Sequence, residues 1–217
     1  MKSFITFIFI LLSLSSGYAL QPESILKANS LKAGISGKQF DKAFGYFKKY
    51  SHLLKNKKYI SFIDFSLSSS KERLFVVNLS SGKVSKFLVT HGMGSGSEYA
   101  VKFSNTSESH QSSLGLYIIG SEYVGKHGKS LYMDGMEGSN SNAKTRNIVM
   151  HQAAYASRDS AFYKQNKYIG RSHGCPAVAP TDWTLLRPLL KDGSILLAYN
   201  ESYGKTPPNS NTTVKLK

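Results

Sequence analysis

The 217-residue chain carries a formal net charge of +15 and a single cysteine, so an intramolecular disulfide framework is excluded. Nine lysines against two acidic residues give residues 20–58 a net +7, whereas 15 basic and 11 acidic residues give residues 59–203 only +4. This distribution lacks the concentrated basic stripe of a nucleic-acid-binding protein, and we expect no nucleic-acid partner; anionic envelope polymers are the partners that this charge could attract.

The first predicted element is a signal peptide, residues 1–19. Lys2 precedes an apolar run from Phe4 to Leu12, and small residues follow as far as Ala19. This order is typical of an exported chain with a cleavage site. The apolar run is shorter than the ~20 residues that cross a bilayer. We therefore predict a periplasmic, secreted or cell-envelope protein with no stable membrane anchor.

Residues 20–58 are predicted to form a basic helical prefix. Between residues 36 and 50, apolar side chains recur at helical spacing, at Phe40, Phe44 and Phe47. A short isolated helix is marginal in water. We therefore expect this helix to pack against the domain that follows.

Residues 59–203 are predicted to form one β-rich α+β domain. Runs of branched and aromatic residues predict strands at 59–65, 74–79, 84–90, 115–122, 131–134, 147–151 and 194–199. A helix is predicted from Thr181 to Leu190, and a long polar loop at 92–113. The polar tail, residues 204–217, has no apolar period and is predicted to be disordered and basic.

The candidate chemistry lies at Cys175, which follows Ser172, His173 and Gly174 in a polar, glycine-containing turn. His151 ends a predicted strand 24 residues earlier and could withdraw the thiol proton or pair with the thiolate. Because glycine permits a sharp turn, the amides of Gly174 and Cys175 could converge as an oxyanion hole.

These residues resemble the murein L,D-transpeptidase catalytic domain family, which has the YkuD-like fold, in the branch with Gly-Arg-Ser-x-Gly-Cys-Pro-Ala. In the common pattern an apolar residue and Arg or Asn follow the cysteine, whereas Pro176 and Ala177 stand here. The segments that carry the resemblance are 91–96, 103–105, 112–117, 128–131, 146–151 and 170–177.

The resemblance implies a mixed β-sheet or sandwich domain with few short helices, and an enzyme that acts on peptidoglycan peptide stems without metal or cofactor. Cys175 would attack a meso-diaminopimelate carbonyl and release D-alanine, with His151 as general base. The thioester would pass to an amine, which gives a crosslink, or to water, which gives carboxypeptidase activity. The backbone carbonyl at position 152 would orient His151. The other implied site residues are Ser172, His173 and Gly174 around the nucleophile, and Arg171, Arg146, Gln152 and Tyr117 for substrate binding.

Three alternatives remain open from the residues alone. A sortase shares the histidine-first order but needs a later arginine beside the cysteine, and Arg187 falls in a predicted helix. A zinc site could use His151, His173 and Cys175 with His91, although the spacing matches no paired-ligand motif. A non-catalytic envelope-binding module with a degenerate site is the third alternative.

Overall fold

The structure is a computed structural model, and it describes residues 19–203. The predicted signal peptide, apart from Ala19, and the predicted tail at 204–217 lie outside the described residues. Within residues 19–203, no helix combines the length and apolar character that crossing a membrane requires.

Four α-helices and eight strands make up the described chain. The helices are α1 (Glu23–Ala33), α2 (Gly37–Tyr50), α3 (Ala161–Asn166) and α4 (Pro180–Leu190). The strands are β1 (Tyr59–Asp64), β2 (Leu74–Asn78), β3 (Val84–Phe87), β4 (Gly115–Gly125), β5 (Gly128–Gly135), β6 (Val149–Gln152), β7 (Ala177–Val178) and β8 (Ile195–Tyr199).

The strands form one mixed sheet in the order β3-β2-β1-β8-β4-β5-β6-β7. Strand β8 lies in the middle, parallel to β1 and antiparallel to β4. The other parallel pair is β6 with β7, at the edge. This architecture confirms the predicted β-rich α+β class.

Alternating side chains on the central strands cover both faces of the sheet. In β1, Ile60 and Phe62 pack into the core beneath α1 and α2, whereas Ile63 faces the core that contains α4. The apolar face of α2 fits onto this surface, with Phe40 stacked at 6.5 Å from Phe62. The predicted packing of the prefix helix against the domain is confirmed.

Three elements were not predicted individually, although α1 lies within the helical prefix that was predicted at 20–58. Helix α1 has a weak apolar period, with Leu26 as its one buried apolar side chain. Helix α3 has no buried residue, and strand β7 is only two residues long. None of the three has the strong apolar period on which the prediction of a single element depends.

Candidate active site

Parallel pairing of β6 with β7 brings the two predicted catalytic residues to one cleft. His151 is in register with Ala177, and its N–H donates to the carbonyl of Pro176 at 3.3 Å. Cys175, just before β7, and His151 both line a cleft of about 450 Å³. Within residues 19–203 no hydrogen bond joins the His151 imidazole to Cys175 Sγ.

The thiol of Cys175 is held by the backbone that leads into β6. The Val149 N–H donates to Sγ at 3.4 Å, and Sγ lies 3.5 Å from the Asn147 carbonyl, to which the thiol donates. Asn147 adopts a left-handed conformation, with φ of +54°, which non-glycine residues rarely populate outside constrained sites. Burial raises the pKa of the Cys175 thiol, and the Val149 N–H and the cations Arg146 and Lys126 offset only part of this effect.

The imidazole of His151 is fixed in one tautomer. Its Nδ1 donates to the backbone carbonyl of Gln152 at 2.9 Å, as the family resemblance implies, so Nε2 carries the lone pair. Burial, followed by the neighbouring His127 and Lys126, lowers the pKa of His151 despite the Gln152 carbonyl. The two pKa shifts thus both favour a neutral thiol and a neutral imidazole over an ion pair.

The turn before Cys175 is closed by its own polar groups. Ser172 Oγ donates to the Cys175 carbonyl at 2.6 Å and accepts from the Gly174 N–H at 3.0 Å. The predicted use of the Gly174 amide as an oxyanion donor is therefore wrong in this geometry, because Ser172 already accepts from it. In residues 19–203 the Cys175 N–H donates to no protein group, so it can still serve that purpose.

Residues 90–93 hold this turn from the other side. Thr90 N–H donates to Ala177 O at 2.9 Å, Ser172 N–H to His91 O at 3.0 Å, and Met93 N–H to Ser172 O at 2.8 Å. Gly92 has no room for a side chain, because a Cβ there would lie 2.2 Å from the His110 carbonyl and 2.9 Å from Gly174 Cα.

A buried arginine holds residues 89–91, which make two of these hydrogen bonds to the turn, in place. Arg73 is 0% exposed and donates twice to the carbonyl of Val89, once to that of Leu67 and, at 2.7 Å, to His91 Nδ1. His91 Nε2 therefore carries the proton, facing Gly96 O at 3.3 Å. Burial and Arg73 lower the pKa of His91 to about 3, so His91 is neutral. Sequence reasoning missed Arg73, because a lone arginine before a strand gives no signal that it is buried.

The two predicted substrate-binding arginines differ in the donors that they leave free. Arg146 Nη1 and Nη2 make four hydrogen bonds to the 104–113 loop, to Ser104 O, Ser113 Oγ, Ser109 Oγ and Gln111 O. Arg171 makes one, to Gly96 O at 3.1 Å. Both line the cleft, but Arg146 is committed to holding the loop, whereas Arg171 keeps donors for a ligand.

Of the other predicted site residues, some line the cleft and others lie in the core. His173 lines the cleft and stacks on His110, with ring centroids 4.4 Å apart. Tyr117 is 2% exposed and its hydroxyl donates to Ser113 O, so its prediction as a substrate-binding residue is corrected: the ring belongs to the core. Gln152 contributes its backbone carbonyl, and its side chain does not line the cleft.

Two further cleft residues, Lys126 and His127, come from the turn between β4 and β5. They add to the basic lining of the cleft, in which Glu108 is the acidic member. The sequence marks this turn only by Gly125 and Gly128, and nothing in it indicates proximity to His151.

The geometry removes support from two of the alternatives. Arg187 lies in α4 and forms an ion pair with Glu122, away from the cysteine cleft. His91 is bonded to Arg73 and does not line the cleft, so the four-ligand zinc arrangement is not assembled. Among residues 19–203, no group of three or more His, Cys, Asp or Glu side chains is arranged to hold a metal ion.

Fold and cleft together define a β-rich domain with a thiol and a neutral imidazole at neighbouring strand ends. The sequence profile of the L,D-transpeptidase catalytic domain family matches residues 31–199. The chain belongs to this family. The match begins inside α1, so the family domain includes α2, which packs on the sheet.

Comparison with solved structures gives weak similarities. The helical cell shape determining protein Pgp2 of Campylobacter jejuni has 10% identity and a TM-score of 0.43, covering 83% of this chain and 57% of that one. An L,D-transpeptidase of Mycobacterium smegmatis has 10% identity and a TM-score of 0.40, covering 65% and 58%. An L,D-transpeptidase of Xylanimonas cellulosilytica has 14% identity and a TM-score of 0.37, covering 83% of this chain and 95% of that one. The chain thus spans less than three fifths of the first two. No curated protein sequence matches the chain significantly.

Proposed function

We propose that the protein is a cysteine-dependent acyl transferase acting on peptidoglycan peptide stems, an L,D-transpeptidase with L,D-carboxypeptidase activity when water is the acceptor. The observation that carries the proposal is the common cleft of Cys175 and His151, in which the Gln152 carbonyl leaves the Nε2 lone pair of His151 free. A neutral thiol beside a neutral base suits general-base activation of the nucleophile.

In the proposed reaction, Cys175 Sγ attacks the carbonyl of meso-diaminopimelate in a tetrapeptide stem while His151 Nε2 takes the thiol proton. The Cys175 N–H donates to the oxyanion. His151 then gives its proton to the leaving nitrogen, and D-alanine departs, leaving a thioester. An amine or a water attacks the thioester and gives a proton to His151, which returns it to the Cys175 sulfur as the thioester breaks.

Binding of the stem is proposed to use the basic lining of the cleft. Arg171 has guanidinium donors to spare, and Lys126 adds a second positive charge, so a carboxylate of the stem would find two cations there. Arg146 would act indirectly, by holding the loop that forms one wall. His173 would shape the wall that it shares with His110.

The same proposal includes export. Cleavage after a signal peptide of about 19 residues would deliver the domain to the periplasm, the exterior or the cell envelope, where its substrate lies. The basic prefix could add weak attraction to anionic envelope polymers.

The test is incubation of purified tetrapeptide muropeptides with the wild type, Cys175→Ala and His151→Gln, with product analysis by mass spectrometry. We expect D-alanine release and a stem-sized mass on Cys175 in the wild type, and neither in Cys175→Ala. His151→Gln should lose about 10²–10⁴-fold in rate. His52→Gln, at an exposed histidine outside the cleft, is the matched control and should behave as the wild type.

Release of D-alanine by Cys175→Ala at the wild-type rate would refute the nucleophile. Absence of release by the wild type, with stems still bound, would favour the non-catalytic envelope-binding module. The products identify the acceptor: crosslinked dimers indicate transfer to an amine, and tripeptide stems indicate transfer to water.

A further inference from the structure

A second histidine lies directly on the ring of His151. The imidazoles of His127 and His151 are stacked, with centroids 4.1 Å apart and planes 19° from parallel. His151 is only 2% exposed although it lines the cleft, whereas His127 is exposed. His127 therefore covers the face of the His151 ring that would otherwise meet solvent.

The backbone holds His127 in this position. Gly125 pairs with Gly128, so Lys126 and His127 form a two-residue turn between β4 and β5. Gly128 has a φ of +74°, and a Cβ there would lie 3.1 Å from Gln152 Nε2, so the turn rests against the residue that follows His151. Pairing of β5 with β6 fixes the two strands below the turn.

We propose that His127 is a positioning residue for the reaction, which holds the plane of the His151 ring by stacking on its face. The inference rests on the proposed role of His151 as general base. The hydrogen bond from Nδ1 to the Gln152 carbonyl fixes one point of the ring but leaves it free to tilt about that point. The stacked ring removes this freedom, so the Nε2 lone pair keeps its direction in the cleft.

Stacking also couples the protonation of the two rings. Two imidazolium ions at this separation repel each other, and Lys126 adds a third positive charge on the same turn. The other groups that face the cleft around His151 are Cys175, Tyr155, Arg146, Arg171, His173, His110, Tyr123 and Glu108. Four of these eight have basic side chains and only Glu108 is acidic, so the balance of charge around His151 favours the neutral ring that a general base requires. Burial, His127 and Lys126 all lower the pKa of His151, and loss of His127 removes both a positive neighbour and part of the burial.

The test compares His127→Ala, which removes the ring, with His127→Phe, which keeps a stacking surface without a titratable group. The histidine resonances are titrated by NMR in the substrate-free protein, and D-alanine release is measured against pH. His110→Ala is the matched control, because it removes the other stacked imidazole of the cleft and leaves His127 in place.

In His127→Ala we expect the pKa of His151 to rise and the acid limb of the rate profile to move to higher pH. We expect kcat to fall about 10- to 100-fold while KM stays within about 2-fold of the wild-type value. The reason is that the variant loses the orientation of the His151 base but keeps the contacts that bind the substrate. His127→Phe should recover most of kcat. His110→Ala should leave the His151 titration as in the wild type.

Three results would overturn the proposal: an unchanged His151 titration in His127→Ala, an unchanged kcat in the same variant, or a His127→Phe variant as impaired as His127→Ala. An equal shift of the His151 titration in His110→Ala would also overturn it, since the effect would then belong to the cleft in general. The titration uses no substrate, so it distinguishes failure of the stacking from failure of the proposed function, which the Cys175→Ala comparison detects.

Discussion

Acid should weaken this fold through His91, and the structure gives the size of the effect. His91 is fully buried, its Nδ1 accepts from the Arg73 guanidinium at 2.7 Å, and its pKa is lowered from 6.5 to about 3. The unfolded chain therefore binds a proton near pH 6.5 that the folded chain does not bind until about pH 3. The stabilisation is fully present above pH 6.5 and is lost as the pH falls towards 3, at about 1.4 kcal/mol per pH unit.

The perturbation that isolates this effect is His91→Gln, whose amide oxygen can still accept from Arg73 and whose NH₂ can still donate to Gly96 O. Between pH 7 and 4.5 the wild type should lose about 2–3 kcal/mol more free energy of unfolding than the variant. Urea unfolding followed by circular dichroism at both pH values measures this difference, and His52→Gln, at an exposed site, should follow the wild type. Equal losses in the wild type and His91→Gln would refute the reasoning.

The remaining predictions concern the thiol and the prefix. Because burial raises the pKa of the Cys175 thiol, alkylation by iodoacetamide should have its inflection above the range of a free cysteine; a plateau extending below pH 7 would instead indicate an ion pair with His151. Phe40→Ala should lower the free energy of unfolding by about 3–5 kcal/mol, since Phe40 is fully buried and stacked on Phe44 and Phe62. Leu31→Ala, at a half-exposed site, should change it by no more than about 0.5 kcal/mol in the same measurement, and equal effects would exclude the prefix from the cooperative core.

The parts of the fold that the sequence predicted are those with a clear apolar pattern, either a helical period or an uninterrupted apolar run. Helix α2 was expected at 36–50 and is found at Gly37–Tyr50, and β8 was expected at 194–199 and is found at Ile195–Tyr199. The apolar residues of α2 face the core at helical spacing, whereas β8 is a continuous apolar run that is buried on both faces of the sheet. Strand β7 could not be predicted, because two residues have no period and the strand exists only through its pairing with β6.

In the candidate site, too, some residues could be predicted from the local sequence and others could not. His151 and Cys175 could be proposed from residue type and local sequence, and their common cleft follows from one parallel pairing. The roles of His127 and Arg73 could not be predicted from the sequence, because they depend on which strands are neighbours in space. The Gly174 amide was assigned wrongly because a glycine indicates a turn without indicating which acceptor the turn supplies, and here Ser172 supplies it.

The position of β8 has a consequence for how the chain can fold. Among residues 19–203 this strand comes last in chain order, but it lies in the middle of the sheet, between β1 and β4. Until residues 195–199 are available, β1 and β4 each have an unpaired edge, and the two halves of the sheet have nothing to join them. Folding must therefore wait for contacts between distant parts of the chain, which makes it slow and leaves aggregation-prone strand edges exposed meanwhile. A truncation that removes β8 should abolish the whole sheet rather than shorten it by one strand.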